Sequence, residues 1–265
     1  MNVPLFPPGD DPGPSFVRLL HRVGDFPEVP TGPLSEVPHG TTVVALRYGD
    51  GVLMAGDRRA TSGNLIAHRA MEKVFPADSH SVVGIAGAAG PAVEMVRLFQ
   101  LQLEHYEKVE GTRLSIEGKA NQLGIMIRGN LPAAMQGLVV VPLFAGYDEK
   151  RLTGRLFEYD VTGGRYEERD YAATGSGSLH GGTVIKLGFR DNLTRDESID
   201  LSIKALFHAA DEDSATGGPD LMRGIFPVVA TVDRDGFRRV DDAELAQRTT
   251  NLLDELRSRR GGLPR

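Results

Sequence analysis

The order of elements predicts an α+β fold in which antiparallel sheets stack on each other with helices outside. Three observations carry that prediction. Residues 42–48 and 52–57 are extended runs joined by an Asp50-Gly51 turn, which makes a hairpin rather than a strand–helix–strand unit. Strands and helices then come in blocks, without the strict alternation that builds parallel sheets. Finally, 40% hydrophobic and 25% charged residues in a chain of 265 are ordinary globular values that allow a core of useful size.

Residues 1–40 stand apart from this pattern. They hold nine of the 16 prolines, which disfavours a packed core and favours extended backbone. Within them only 16–23 has helical periodicity, with Phe16, Leu19, Leu20 and Val23 on one side. Two arginines against five acids give this leader −3 of the total charge of −6. The style changes abruptly at Gly40–Thr41, and the β-branched run that follows reads as a strand.

From Thr41 the elements follow in order. After the first hairpin comes Asp57-Arg58-Arg59, then a loop through Thr61-Ser62-Gly63-Asn64 that leads to Lys73-Val74-Phe75-Pro76. Residues 81–86 form a short strand ended by Gly87-Ala88-Ala89-Gly90. Pro91 suits the first turn of a helix whose inward face is Ala92, Val96, Phe99, Leu103 and Tyr106, with Gly111 as its stop. Ser115 caps a second helix with Ile116, Ala120, Leu123 and Ile127 in phase. Strands return at 138–146, 152–160 and 165–171. Gly175-Ser176-Gly177-Ser178 opens a helix that ends near Gly188. Thr194 and Glu197 form a capping box for the next, which turns Ile199, Ile203, Leu206 and Ala210 inward. A hairpin over 225–240 and a helix from Asp242 to Arg259 close the chain.

Composition removes several functions. There is no cysteine, so disulfides and thiolate chemistry are excluded. The net charge of −6, with no basic cluster interleaved with aromatics, argues against nucleic acid. No apolar run approaches the ~20 residues of a membrane span, and the amino terminus lacks the basic and apolar blocks of a signal peptide. A cytoplasmic location is expected, with no membrane contact. The seven histidines show no metal-ligand spacing, and the G-x-S-x-G elbow is absent. Residues 175–181 resemble a dinucleotide loop only weakly, with one residue too many and no βαβ context. Neither metal nor cofactor is expected.

What remains is Thr41. A threonine hydroxyl needs a base, and if Thr41 were the first residue its own α-amino group, with an unperturbed pKa of about 7.7–8.0, could serve. That requires cleavage after Gly40, a residue whose missing Cβ permits a tight backbone. His39 is a rival base, but it would leave with the leader. A strand that merely starts with two threonines explains the same residues. The antiparallel hairpin returns Asp57 beside Thr41, where it could hold a cation such as Lys73; a solvated Asp-Arg-Arg turn and a surface lysine are the plainer readings. The turn at Gly87 offers a backbone N–H suited to an oxyanion, or is simply a turn.

Taken together, Thr41-Thr42-Val43-Val44, Ala55-Gly56-Asp57-Arg58-Arg59, Lys73-Val74-Phe75, Ile85-Ala86-Gly87, Thr174-Gly175-Ser176-Gly177-Ser178 and Asp213-Ser214-Ala215-Thr216-Gly217-Gly218 resemble the signature segments of proteasome β subunits. They fall in family order across 41–265. The leader ending in His39-Gly40 and the segment from Asp213 to Asp220 most resemble the actinobacterial type.

The resemblance implies a four-layer αββα sandwich and a threonine peptidase, with 1–40 a propeptide and 41–265 the catalytic domain. Thr41 would be nucleophile and amine base, Asp57 and Lys73 the supporting ion pair, and Gly87 the oxyanion donor. Ser176 and Asp213 would position the amine and its water, with Arg59 and Thr216 holding the network; Thr216 departs from the serine of many members but keeps the hydroxyl. Ala60, Thr61, Met71, Ile85 and Ala89 would bind substrate. The implied partners are further copies in a seven-membered β ring, α subunits, an ATP-dependent unfoldase and unfolded protein substrates. A non-catalytic ring subunit is the alternative, and it predicts loss of Thr41, Asp57 or Lys73. An amidase acting on small molecules through an N-terminal nucleophile is a third reading, against which the full set of segments speaks.

Overall fold

The computed structural model describes residues 40–49 and 51–261, with side chains to 258. The helix expected over 16–23 lies outside the described residues. Two five-stranded antiparallel sheets dominate. The first has the order β10-β1-β2-β11-β12, built from Tyr171–Gly175, Thr42–Tyr48, Gly51–Gly56, Val228–Asp233 and Gly236–Arg239. The second runs β5-β6-β7-β8-β9, from Val74–Asp78, Ser81–Gly87, Val140–Asp148, Thr153–Tyr159 and Arg165–Glu168. A two-stranded ribbon, β3 (Ala60–Ser62) with β4 (Leu65–His68), replaces the expected loop.

Strand periodicity sorts the apolar residues into three cores. In β1 and β2, Val43, Ala45, Val52 and Met54 meet Val82, Leu143 and Leu156 of the second sheet. Alternate residues Val44, Leu46, Leu53 and Ala55 pack on the other face against Ile185, Ile199, Ile203 and Leu206. These come from α4 (Ser178–Gly188) and α5 (Arg195–Glu212), with Leu245 and Leu252 of α6 (Asp242–Gly261) alongside. The outer face of the second sheet, through Val83, Phe144 and Phe157, packs on α1 (Ala89–Glu110) and α2 (Ile116–Gly129). The layers are therefore helix, sheet, sheet, helix, as the resemblance implied. Because both faces of β1 and β2 are covered, their sequences are continuous apolar runs rather than alternating ones.

The helix ends follow local chemistry. Gly111 closes α1 in the left-handed region at φ 67°. The Ser115 hydroxyl accepts from Gly118 N–H at the start of α2, and Thr194 with Glu197 completes the capping box of α5. A short helix α3 (Leu131–Ala134) follows α2.

Three sequence expectations need correction. Tyr106 is not inward, because α1 outruns the core and residues 104–110 are all exposed. In α5 the fully buried alanines are Ala205 and Ala209, while Ala210 is half-buried. The run 165–171 is not one strand. It breaks at Arg169-Asp170, a polar corner, so that β9 stays on the edge of the second sheet while β10 crosses to the first and pairs with β1. That switch matters most, since it brings Gly175 opposite Thr42.

Candidate active site

The site forms where the start of β1 meets the end of β2. Their register sets Val43 against Gly56, so Asp57 falls opposite Thr42, as the hairpin argument required. The two residues are tied twice: Asp57 N–H donates to Thr42 O at 3.1 Å, and Thr42 N–H donates to Asp57 Oδ1 at 2.8 Å. Asp57 Oδ2 accepts from Arg59 N–H and Gly217 N–H, each at 2.8 Å. Asp57 is fully buried and its carboxylate is surrounded by donors.

Lys73 arrives from the other sheet, immediately before β5, and is also fully buried. Its Nζ donates to Asp57 Oδ1 at 2.6 Å, to Arg59 O at 2.5 Å and to Gly40 O at 2.9 Å. An ammonium has three protons, and three oxygens receive them. Burial nonetheless pushes its pKa below the ordinary lysine value, with the Asp57 charge opposing that shift. Lys73 is thus a cation that gives up a proton more easily than a surface lysine.

The junction itself is held from both sides. Thr41 is buried, and its hydroxyl donates to Gly40 O at 2.6 Å, the same carbonyl that Lys73 grips. Gly40 sits at φ 116°, and a Cβ there would lie 2.6 Å from Thr61 Oγ1 and 2.8 Å from Ala215 Cβ. No other residue fits that position without displacing its neighbours.

A second cluster flanks Thr41. Ser176 N–H donates to Thr41 O at 2.8 Å, and Thr41 N–H approaches Ser176 Oγ at 3.5 Å. Asp213 Oδ2 accepts from Ser176 Oγ and from Thr216 Oγ1, both at 2.6 Å, while Oδ1 accepts from Ala215 N–H at 3.1 Å. Desolvation raises the pKa of this carboxyl, but these bonds outweigh it and hold the group below the usual range. Arg59 Nη1 donates to Ser214 O at 2.9 Å, which fastens the loop to the end of β2.

The structure thus brings Thr41, Asp57, Lys73, Arg59, Ser176, Asp213 and Thr216 into one bonded group. Gly87 ends β6, two residues beyond Ile85, whose N–H donates to Lys73 O at 2.8 Å. Of the expected substrate contacts, Met71 and Ala89 line an open depression of about 850 Å³ together with Val93 and Arg97. Ala60 and Thr61 are buried on β3, and Ile85 belongs to the core beneath α1. Sequence reasoning missed Thr42 and Gly217 N–H as members of the network. The doubled threonine was the one available signal, and it does not say which partner the second hydroxyl takes.

A hydroxyl and a buried ammonium converge on the Gly40 carbonyl while a carboxylate holds the ammonium, an arrangement chemically suited to acyl transfer onto a threonine. Comparison with known proteins agrees. The family model described as proteasome subunit matches residues 37–221. A proteasome subunit beta of Acidimicrobium ferrooxidans is 60% identical over 260 residues, covering 97% of this chain and 95% of its own. Those of Streptomyces griseus and Acidothermus cellulolyticus are 60% and 62% identical, over 83% and 78% of this chain and 78% and 73% of theirs. The chain belongs to the proteasome subunit family. Among the described residues no group of acids and histidines could hold a metal, and no helix is long and apolar enough to cross a membrane.

Proposed function

We propose that this chain is a threonine-type endopeptidase subunit made as a precursor, in which residues 1–40 are a propeptide and Thr41 becomes the nucleophile once the Gly40–Thr41 bond is cut by the chain itself. The observation that carries this reading is the double grip on Gly40 O by Lys73 Nζ and the Thr41 hydroxyl. Both hydrogen bonds draw electron density from the carbonyl that must be attacked.

In processing, Thr41 Oγ adds to the Gly40 carbonyl carbon and its proton passes to the departing Thr41 nitrogen. The acyl group moves from nitrogen to oxygen, and water cleaves the ester to leave a Gly40 carboxylate and a free Thr41 amine. With Gly40 gone, Lys73 Nζ has a donor free for the Thr41 hydroxyl. In turnover the new amine takes the hydroxyl proton, since its ordinary pKa of about 7.7–8.0 suits a base near neutrality. Oγ attacks a peptide carbonyl, Gly87 N–H stabilises the oxyanion, and the amine product leaves. Ser176 and Asp213 then hold the amine and the water that releases the acyl group. Arg59 and Thr216 keep the loop in place. Met71 and Ala89 accept an apolar side chain, with Ala60, Thr61 and Ile85 behind them.

The substrates are unfolded proteins, and the subunit assembles with other proteasome subunits. The family resemblance supports seven-membered β rings stacked against α rings, an ATP-dependent unfoldase at the ends, and a cytoplasmic location. A non-catalytic ring subunit would lack Thr41, Asp57 or Lys73, and all three are present. Intact mass of the chain after co-assembly with its α subunits tests the proposal. The expected mass lacks residues 1–40, and their retention overturns the reading. Thr41→Ala is expected to abolish both processing and hydrolysis of a fluorogenic peptide; surviving hydrolysis would remove Thr41 as nucleophile.

A further inference from the structure

We infer that Thr42 is a positioning residue for this site: its hydroxyl ties β1, the turn into α4 and the 213–217 loop together, and so sets where Ser176 and Asp213 stand. The inference rests on the function proposed above and extends it to a residue that touches no substrate.

Thr42 is fully buried. Its Oγ1 accepts from Gly177 N–H at 3.0 Å and lies 2.5 Å from Thr216 Oγ1. Thr216 Oγ1 in turn meets Asp213 Oδ2 at 2.6 Å. The two ends of this chain fix the direction of every proton in it. An amide N–H can only donate, and an ionised carboxylate can only accept. A hydroxyl has one proton, so Thr216 spends its own on Asp213, and Thr42, already accepting from Gly177, donates to Thr216. The order is Gly177 N–H to Thr42 to Thr216 to Asp213. Aligned hydrogen bonds of this kind strengthen one another in a buried site.

The effect reaches Thr41 through Ser176. Gly177 adjoins Ser176, whose Oγ stands between Asp213 Oδ2 at 2.6 Å and the Thr41 nitrogen at 3.5 Å. Since Ser176 donates to Asp213, it presents a lone pair to that nitrogen. Gly177 is itself constrained by the hydroxyls. Its angles, φ −90° and ψ 10°, are open to other residues, yet a Cβ there would lie 2.4 Å from Thr42 Oγ1 and 2.7 Å from Thr216 Oγ1. Glycine is required because the hydroxyls crowd it. The titratable groups around Asp213 are His180 on α4, Lys73 ahead of β5, and Asp57 and Arg59 just after β2. The hydroxyl chain adds to their field without carrying charge.

Full-length chains co-assembled with α subunits provide the test, with kcat, KM and the pH profile read on a fluorogenic peptide. Thr42→Val keeps the shape and removes the hydroxyl. It should lower kcat about tenfold or more with KM within about twofold, because Ser176 and Asp213 are displaced while the substrate surface is not. The acid limb of kcat should move to higher pH as Asp213 loses support. Thr42→Ser should restore both. A Thr42→Val enzyme with a wild-type kcat and pH profile, or one changed only in melting temperature, overturns the inference, as does a serine variant no better than valine. If Thr42→Val fails to assemble, Thr216→Val decides: the same acid-limb shift supports the chain and an unmoved profile overturns it. Hydrolysis surviving in Thr41→Ala would sink the nucleophile reading instead, so the two failures are told apart.

Discussion

Among the described residues two aspartate–lysine pairs are largely buried, and they are built differently. Lys73 and Asp57 lie 2.6 Å apart with side chains 1% and 0% exposed, and Lys119 and Asp78 lie 2.5 Å apart at 5% and 14%. By distance and burial they are near twins. Asp78 is braced locally, by Ser81 Oγ at 2.6 Å and His80 N–H at 3.0 Å, so the pair pins the β5–β6 turn to α2. Desolvation raises the Asp78 pKa, but Lys119 and these bonds prevail and hold it low. Asp57 instead accepts backbone N–H groups from three separate segments, and Lys73 reaches two carbonyls besides its partner. The first pair braces one turn. The second is a junction of segments whose ammonium is left with a depressed pKa and a contact to the Gly40 carbonyl. Burial of a salt bridge does not make a site; the identity of the remaining partners does.

The sharpest way to break the comparison is to remove each lysine in turn. Lys73→Met should abolish processing and peptide hydrolysis, and should destabilise the fold by about 3–5 kcal/mol because Asp57 is left as an uncompensated buried charge. Melting temperature and intact mass report the two effects separately. Wild-type turnover in Lys73→Met would erase the distinction between the pairs. Lys119→Met should cost somewhat less, about 2–3 kcal/mol, since Asp78 keeps Ser81, His80 and some solvent. Hydrolysis per assembled site should stay at the wild-type level. A large loss of kcat there would mean that the second pair serves the site too.

A smaller effect separates them by pH. Asp78 has a folded pKa below its unfolded value of about 3.9, so its contribution is complete above that value and is lost as pH falls through the depressed folded one. The stability gap between wild type and Asp78→Asn should therefore close only in strong acid. Melting curves from neutral pH downward test this, and a gap already closed at pH 5 or so would contradict it. The least effect is expected from Lys108→Ala, whose pair with Glu104 is solvent-exposed on α1. Its melting temperature should match wild type, showing that depth and partners, not the count of ion pairs, govern the differences.

Much of the fold was legible because its signals are local. The Thr194–Glu197 capping box spans three residues, and the β1–β2 hairpin that sets Asp57 opposite Thr42 spans fifteen. Apolar phase identified the buried faces of α1, α2 and α5, and erred only where a helix outran its sheet, at Tyr106, or slipped by one position, at Ala210. The corner at Arg169-Asp170 was hidden, because a strand that changes sheets keeps its extended pattern on both sides of the turn. Lys73 was a surface lysine by any local criterion. Its burial follows from the second sheet packing on the first.

The sequence alone therefore determined the hairpin, the helix ends and the carboxylate beside the start of β1, since each depends on residues close along the chain. Tertiary structure alone decided what surrounds Thr41. Ser176 meets the Thr41 nitrogen across 135 positions and Thr42 meets Thr216 across 174. Such contacts leave no periodicity or turn chemistry in the sequence, because they arise only when the two sheets stack and the helices close over them.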